Sequence, residues 1–312
     1  MSCHDRSRES RPRRAGKRTR LILAAAALFV LSITVITCGS GGPGGNGDGS
    51  TTTASSPGGS VVHPSGKNEI VLQVTTGGGF VPIEYNVTLV PEFSLYGEGR
   101  VIVPGPVDAI YPGPALPNLQ TTVISEDSLQ AILSASREAG LFDPTFDYGL
   151  PTVADGPTTT IVINADGTTY RSEIYSLTVE GAGGLSMEQQ QARAALNDLR
   201  GKLVELTAFA SGEIAWEQYQ YSALAAYSQA VDPGYTPDPT DVQPNRLEWP
   251  LGDLGTLGEE VTRPGFRRVV ISGQDLAALQ PLLGQATQTT LWKSGDREYR
   301  LFFRPLLPDE TG

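Results

Sequence analysis

The sequence predicts an α+β protein in which antiparallel sheet packs with two or three helices. Three observations point there. From Glu69 onward, short runs of alternating apolar residues are cut by Gly, Pro and Asp-Gly pairs, which is how strands and turns read. Two segments carry an apolar stripe at helical spacing behind a capping residue. An Asp-Gly pair between two alternating runs marks a tight hairpin.

Taken in order, Glu69 to Thr76, Ile83 to Val90 and Arg100 to Val103 are the first strand candidates, with Gly97-Glu98-Gly99 turning into the last. A Pro-rich stretch follows from Tyr111 to Pro117 and reads as a rigid extended loop or a partner-binding segment. Ser125 is a helix N-cap with Glu126 and Asp127 in the first turn. Leu129, Ile132 and Leu133 form its buried stripe, and Gly140 ends it. Thr158 to Asn164 then pairs with Thr169 to Thr178 across Ala165-Asp166-Gly167-Thr168. A second helix starts at Ser186, where Ser186 and Gln189 fit a capping box. Leu196, Leu199, Leu203 and Leu206 mark its inner side, and Gly212 stops it.

The tail offers a strand from Arg267 to Ile271, a helix from Gln274 to Gln285 and a hairpin from Thr289 to Phe303. Ile124-Ser125 with Leu129 and Ala131 matches Ile271-Ser272 with Leu276 and Ala278. Tyr170-Arg171 matches Tyr299-Arg300. A degenerate repeat of a strand-helix-hairpin unit is therefore expected, with two superposable copies as its signature.

The N-terminus carries the address. Residues 1 to 20 hold eight cations against Asp5 and Glu9, a balance of +6, and the uncharged apolar run 21–37 follows. A basic region, an apolar region and small residues at the exit describe an export signal. Seventeen residues span roughly 26 Å as a helix, short of a hydrocarbon core of about 30 Å. Val35-Ile36-Thr37-Cys38-Gly39-Ser40 resembles the lipobox of bacterial lipoproteins, with Thr37 where Gly or Ala is usual. This places a lipid on Cys38. Retention of the 21–37 segment as a single-pass anchor and free secretion are the alternatives. The organisation expected is a signal and lipobox over 1–38 and a Gly/Ser/Thr-rich tether over 39–66. An α+β domain over 67–212 and a second α+β unit over 213–312 follow.

Composition then excludes chemistry. Processing at Cys38 leaves 15 basic and 32 acidic residues, a net charge of −17. Such a surface repels phosphate backbones and anionic headgroups, so nucleic acid is not an expected partner. His4 precedes the signal and His63 falls in the tether. A histidine-based triad, a Cys-His dyad or a His-ligated zinc site would therefore have no histidine inside the fold. No intramolecular disulfide is possible with one Cys. No catalytic residue and no cofactor are expected. Gly42-x-Gly44-x-x-Gly47 matches a dinucleotide fingerprint only as a string, lacking the strand and helix that give it meaning.

Two candidate sites remain. Asp143, Asp147 and Asp155 cluster in an irregular acidic stretch, where hard oxygen ligands could gather calcium, although Asp also favours turns for its own reasons. Trp216, Tyr219 and Tyr221, with Tyr227 beyond them, could offer aromatic faces to a sugar or a protein partner, or could be core.

Val74-Thr-Thr-Gly-Gly-Gly-Phe80-Val-Pro82, Phe93-Ser-Leu-Tyr-Gly-Glu-Gly-Arg-Val101 and Asp155-Gly-Pro-Thr-Thr-Thr160 before Asp166-Gly167 carry a resemblance. Over residues 69 to 210 the chain resembles a family of uncharacterised exported proteins of actinobacterial type. It is also similar to a widespread bacterial domain of unknown function. The resemblance implies an exported α+β domain and transfers no catalytic residue. The reading that follows is a membrane-tethered extracytoplasmic module, non-catalytic, that binds a cell-wall component, small ligand or protein. The alternative is a carboxylate-based cell-wall hydrolase, which needs only two converging acids.

Overall fold

The computed structural model describes residues Gly59 to Thr311, apart from Glu180, Ala182 and Ser211. The export signal, the 21–37 segment, Cys38, the Gly42 to Gly47 string and the tether as far as residue 58 lie outside the described residues.

Seven strands build the first sheet: β1 (Ile70–Gly77), β2 (Phe93–Tyr96), β3 (Arg100–Pro104), β4 (Leu119–Val123), β5 (Thr158–Ala165), β6 (Thr168–Tyr175) and β7 (Glu217–Gln218). Their order is β6-β5-β1-β2-β3-β4-β7, and every pairing is antiparallel. One row of partners crosses the whole sheet, Arg171, Val162, Gln73, Ser94, Ile102, Thr121 and Glu217. Counting from that row gives the sheet two distinct ends. Gly77, Thr158, Tyr175, Pro104 and Leu119 lie at one, here the loop end. The β5–β6 turn, the β2–β3 turn and Val123 lie at the other, the hairpin end. The β5–β6 turn is the expected Asp-Gly hairpin, with Asp166 at φ 51° and Gly167 at φ 71°, the two positive values that a type I′ turn requires.

The second sheet has the order β10-β11-β8-β13-β12-β9. Its strands are β8 (Ala223–Ala230), β9 (Arg246–Glu248), β10 (Glu259–Glu260), β11 (Phe266–Ser272), β12 (Leu291–Ser294) and β13 (Arg297–Pro305). Only the β9–β12 pair is parallel. Among the described residues there are four α-helices where two or three were expected, α1 (Ile83–Val87), α2 (Glu126–Glu138), α3 (Met187–Glu205) and α4 (Gly273–Leu283), and a 3-10 turn at Pro308–Glu310.

The two longest helices form where their caps say they should. The Ser125 hydroxyl accepts the Ser128 amide, and Ser186 with Gln189 makes the full reciprocal capping box. Both lay their leucines on the first sheet. Leu129, Ile132, Leu133, Leu196, Leu199, Leu203 and Leu206 join Val71, Val74, Phe93, Leu95, Ile161 and Ile163 in the main core. Burying each such side chain stabilises the fold by about 1.5–3 kcal/mol. α4 covers the second sheet through Leu276, Leu279 and Leu283, against Trp292, Leu301 and Phe303. Two smaller clusters join the sheets. One combines Tyr96, Ile102 and Leu119 with Tyr219 and Leu307, and the other sets Val87 against Ala223, Ala225, Tyr227 and Leu306.

The structure corrects four expectations. Ile83 to Val90 is not a strand: it begins with α1, whose Tyr85 is exposed while Val87 packs against Ala223, Ala225 and Tyr227 of the second sheet, and Val90 beyond it packs on the cluster of Tyr96, Ile102 and Leu119. The hairpin partner of β3 is instead β2, buried on both faces and hence without alternation. α3 ends at Leu206, in left-handed conformation with φ 54°, six residues before Gly212. The folded chain starts before residue 67. Val61 is 5% exposed within the main core, and Val62 exchanges hydrogen bonds with Asp166 at the hairpin end.

The expected repeat recurs as an order of elements, β4-α2-β5-β6 and β11-α4-β12-β13, but not as a topology. β5 runs parallel to β4, whereas β12 runs antiparallel to β11. The first hairpin joins its sheet through its first strand, and the second through β13, its last. Rotating one unit onto the other cannot reconcile opposite strand directions.

Candidate interaction surface

Four connections gather at the loop end of the first sheet: residues 78–82 after β1, 105–118 between β3 and β4, 143–157 before β5, and 176–186 after β6. With α1 and the first residue of α3, they hold nine of the fifteen exposed large apolar side chains among the described residues. These are Phe80, Val81, Tyr85, Val107, Ile110, Tyr111, Leu150, Val179 and Met187. Phe80 is 92% exposed. Single exposed apolar residues are ordinary, whereas their concentration at one end of a sheet makes that end a candidate contact surface.

The backbone beneath these side chains is firmly held. Phe80 donates its amide to Asp155 O at 3.3 Å, and Gly78 donates to Asn86 Oδ1 at 3.0 Å. Gly79 sits at φ 82°, and a Cβ there would come within 2.9 Å of Asp155 O, so the Gly77-Gly78-Gly79 run serves a close backbone crossing. Thr152 bonds Gly183, which ties the 143–157 loop to the 176–186 loop, and the Tyr175 hydroxyl links Val153 O to the Gly156 amide. The Pro-rich loop is pinned by Gly105 to Asn118 and, on the second sheet, by Ala115 to Ala286 and Gln288 to Gly113.

Arg193 is the centre of this bracing. It projects from α3, is 5% exposed, and donates to the carbonyls of Tyr148, Tyr175 and Ser176 at 3.2, 2.7 and 2.7 Å. Burial pulls its guanidinium below the usual arginine range. Three carbonyls replace its lost hydration. The buried hydroxyl of Tyr148 has no hydrogen-bond partner among the described residues, and burial pushes its titration upward, so it stays neutral.

Charge here is one-sided. Segments 77–92, 105–118, 143–157 and 176–187 contain no Lys or Arg, while Glu84, Asp108, Asp143, Asp147 and Asp155 lie within them. The surface combines rigid apolar points with negative potential.

The sequence-derived candidates fare differently. Asp143, Asp147 and Asp155 do not assemble a cation site, since no group of three or more His, Cys, Asp or Glu is placed for a metal among the described residues. Asp143 accepts both the amide and the hydroxyl of Thr145, which holds its carboxyl below the usual range. Asp147 accepts the Gly149 amide, and Asp155 occupies a turn at φ 52°. Asp143 and Asp147 each spend one oxygen on their own loop, as Asp does in turns.

Trp216, Tyr219 and Tyr221 are not a shared aromatic surface. The chain passes between the sheets there. Trp216 packs against the main core, Tyr219 is 8% exposed and donates to Leu306 O at 3.0 Å, and Tyr221 lies between two clusters. Burial pushes the Tyr219 hydroxyl up to about 12. His63 also moves inside the fold, with its ring against Glu126, so the histidine-free fold expected from sequence is corrected. Its ring meets the Pro64 carbonyl and the Glu126 carboxylate.

What sequence reasoning missed was Phe80 and its neighbours. The available signal was an aromatic behind three glycines, before a proline. Comparison with protein-family models, curated proteins and solved structures gives no match to this chain.

Proposed function

We propose that the chain is a membrane-tethered extracytoplasmic module, lipid-anchored through Cys38, that binds a partner protein at the loop end of its first sheet. The observation that carries this reading is the concentration of exposed apolar side chains on braced loops lacking any cation. Ordering costs that a mobile loop would incur on binding are already met in the free protein. The chemistry selects a partner with an apolar patch and a basic rim, and disfavours anionic lipid and nucleic acid. The chain enters the fold at the hairpin end, where Val62 meets Asp166. The loop end is separated from that entry by the length of β5, roughly 26 Å at 3.3 Å per residue.

A photoreactive phenylalanine analogue at position 80, in the native membrane, should give a discrete adduct that the same group at the exposed hairpin-end residue Val123 does not give. Equal labelling at both positions, or none at 80, overturns the reading. The anchor has a separate readout in intact mass. Acylated chain beginning at Cys38 is expected, and chain beginning at Met1 with unmodified Cys38 refutes it.

The hydrolase alternative has less support. Two surface recesses each hold two acids, Asp147 with Glu173 and Asp253 with Asp296. A general acid needs its carboxyl pushed upward. The carboxyls that hydrogen bonding displaces, Glu126, Asp143 and Asp238, lie outside both recesses and move downward.

A further inference from the structure

β6 is an edge strand of eight residues that pairs with β5 on one side and, among the described residues, with nothing on the other. The remaining three sheet edges end in β7, β10 and β9, strands of two, two and three residues. Short edge strands are a standard protection against pairing with another chain, as are Lys and Pro on the edge. β6 has none of these, and Thr-Thr-Tyr-Arg-Ser-Glu-Ile-Tyr is rich in strand formers.

The two-residue turn at Asp166-Gly167 fixes which backbone groups are available. In such a hairpin the flanking residues Ala165 and Thr168 form a hydrogen-bonded pair, and hydrogen-bonded pairs recur at every second residue. This alternation directs the amides and carbonyls of Tyr170, Ser172 and Ile174 toward β5 and turns those of Thr169, Arg171 and Glu173 outward. A recess of about 380 Å³ lies against this edge, bounded by Arg171, Ser172, Glu173 and the loop carrying Tyr148 and Leu150.

We propose that this edge pairs with the same edge of a second copy, antiparallel about a two-fold axis at Ser172, joining two first sheets into one continuous sheet. Register is the argument. Main-chain bonds form only where outward-facing residues meet outward-facing residues. An axis at Arg171 sets Arg against Arg, and an axis at Glu173 sets Glu against Glu. An axis at Ser172 sets Arg171 of each copy opposite Glu173 of the other, twice over, in hydrogen-bonded pairs. The edge is thus self-complementary, as a two-fold interface demands. Within one copy Arg171 and Glu173 already pair at 2.8 Å, so association exchanges partners and leaves no charge unpaired. The chain's own residues 39–58 are a poor occupant, being mostly Gly, Ser and Thr. The edge adjoins the loop end at Leu150 but does not include Phe80, and the inference does not rest on the proposed partner.

Sedimentation of the full chain in detergent tests it. The wild type should run as a dimer, Arg171→Glu and Glu173→Arg should each run as monomers, and the double swap should recover the dimer. Hydrogen exchange should show the Arg171 and Glu173 amides protected in the dimer and open in the single variants. Should a single swap fail to fold, Ser172→Cys supplies the second route. Its oxidation should link two copies at position 172, because facing residues about 4.5 Å apart fit a disulfide, and the parent chain with Ser172 should give no such link. A monomeric wild type, a dimer indifferent to both single swaps, or protected β6 amides at monomer mass would each overturn the proposal.

Discussion

His63 stands between the carbonyl of Pro64 and the carboxylate of Glu126, with Nδ1 2.7 Å from the first and Nε2 3.0 Å from the second. Gln130 extends the contact, donating to Glu126 Oε1 and to Val61 O while its own oxygen accepts the Val61 amide. These side chains fasten the strap 59–66 across the first turn of α2, where a carboxylate is also favoured by the helix dipole. The point where the chain enters the fold is a built joint.

That joint should weaken in acid. The Gln130 and His63 hydrogen bonds hold Glu126 below its ordinary value of 4.5. A depressed carboxyl contributes stability above its unfolded value, and that contribution disappears as pH falls through the folded value. Wild type should therefore melt above Glu126→Gln at pH 6, with the gap starting to close as pH passes the unfolded reference of roughly 4.3 and closing fully only below the lowered folded value of Glu126. Parallel melting curves for the two proteins across that range would show that the joint carries no linkage.

Val61 tests the same joint by packing. Its side chain is 5% exposed in the main core. Val61→Ala should lower stability by about 1–2 kcal/mol through lost burial. Val62→Ala, at 67% exposure, should change it by less than about 0.5 kcal/mol. A chain begun at residue 67 should melt below one begun at residue 59.

The strap was illegible in sequence because its neighbours are Gly, Ser and Pro, and one buried valine makes no period. Where sequence was informative, a local rule sufficed. Ser125 and Ser186 announced α2 and α3, and Asp166-Gly167 announced the β5–β6 hairpin, because caps and type I′ turns are decided within four residues. β2 failed that test, since Phe93 to Tyr96 are all buried and show no alternation. The aromatic run from Trp216 failed it too: β7 and β8 belong to different sheets, so its side chains never shared a face. The calcium candidates Asp143, Asp147 and Asp155 are not gathered into a metal group among the described residues, and Asp143 and Asp147 serve the turns at Thr145 and Gly149, the other reading of those residues. Phe80 carried no periodic signal, because an exposed side chain on a loop belongs to no buried face.

Arg193 should prove essential to the loop end. Arg193→Ala leaves the carbonyls of Tyr148 and Tyr175 without the guanidinium and Ser176 O with the Val179 amide alone. Stranding buried acceptors of this kind costs about 1–3 kcal/mol, more where a charge-assisted bond is lost. Denaturant unfolding should show a loss of about 3 kcal/mol, and hydrogen exchange should quicken in the 143–157 loop first. A loss spread evenly over both sheets would contradict a bracing role. Lysine cannot reach three carbonyls with a planar fork, so Arg193→Lys should recover only part of the difference.

Gly78 and Gly79 separate conformational freedom from space. Both have positive φ, at 80° and 82°, so alanine is strained at either. At Gly78 the added Cβ meets nothing within 4 Å, and Gly78→Ala should cost only the backbone penalty of roughly 1 kcal/mol. At Gly79 the Cβ also meets Asp155 O at 2.9 Å, and that oxygen is the acceptor for the Phe80 amide. Gly79→Ala should therefore destabilise by at least about 1 kcal/mol more than Gly78→Ala, because the loop cannot recede without releasing Phe80. The same displacement should reduce photocrosslinking from position 80, whereas Gly78→Ala should leave it in place. Equal melting temperatures and equal crosslinking for the two variants would mean that the glycine run supplies flexibility alone, and that Phe80 is not held where the Asp155 contact puts it.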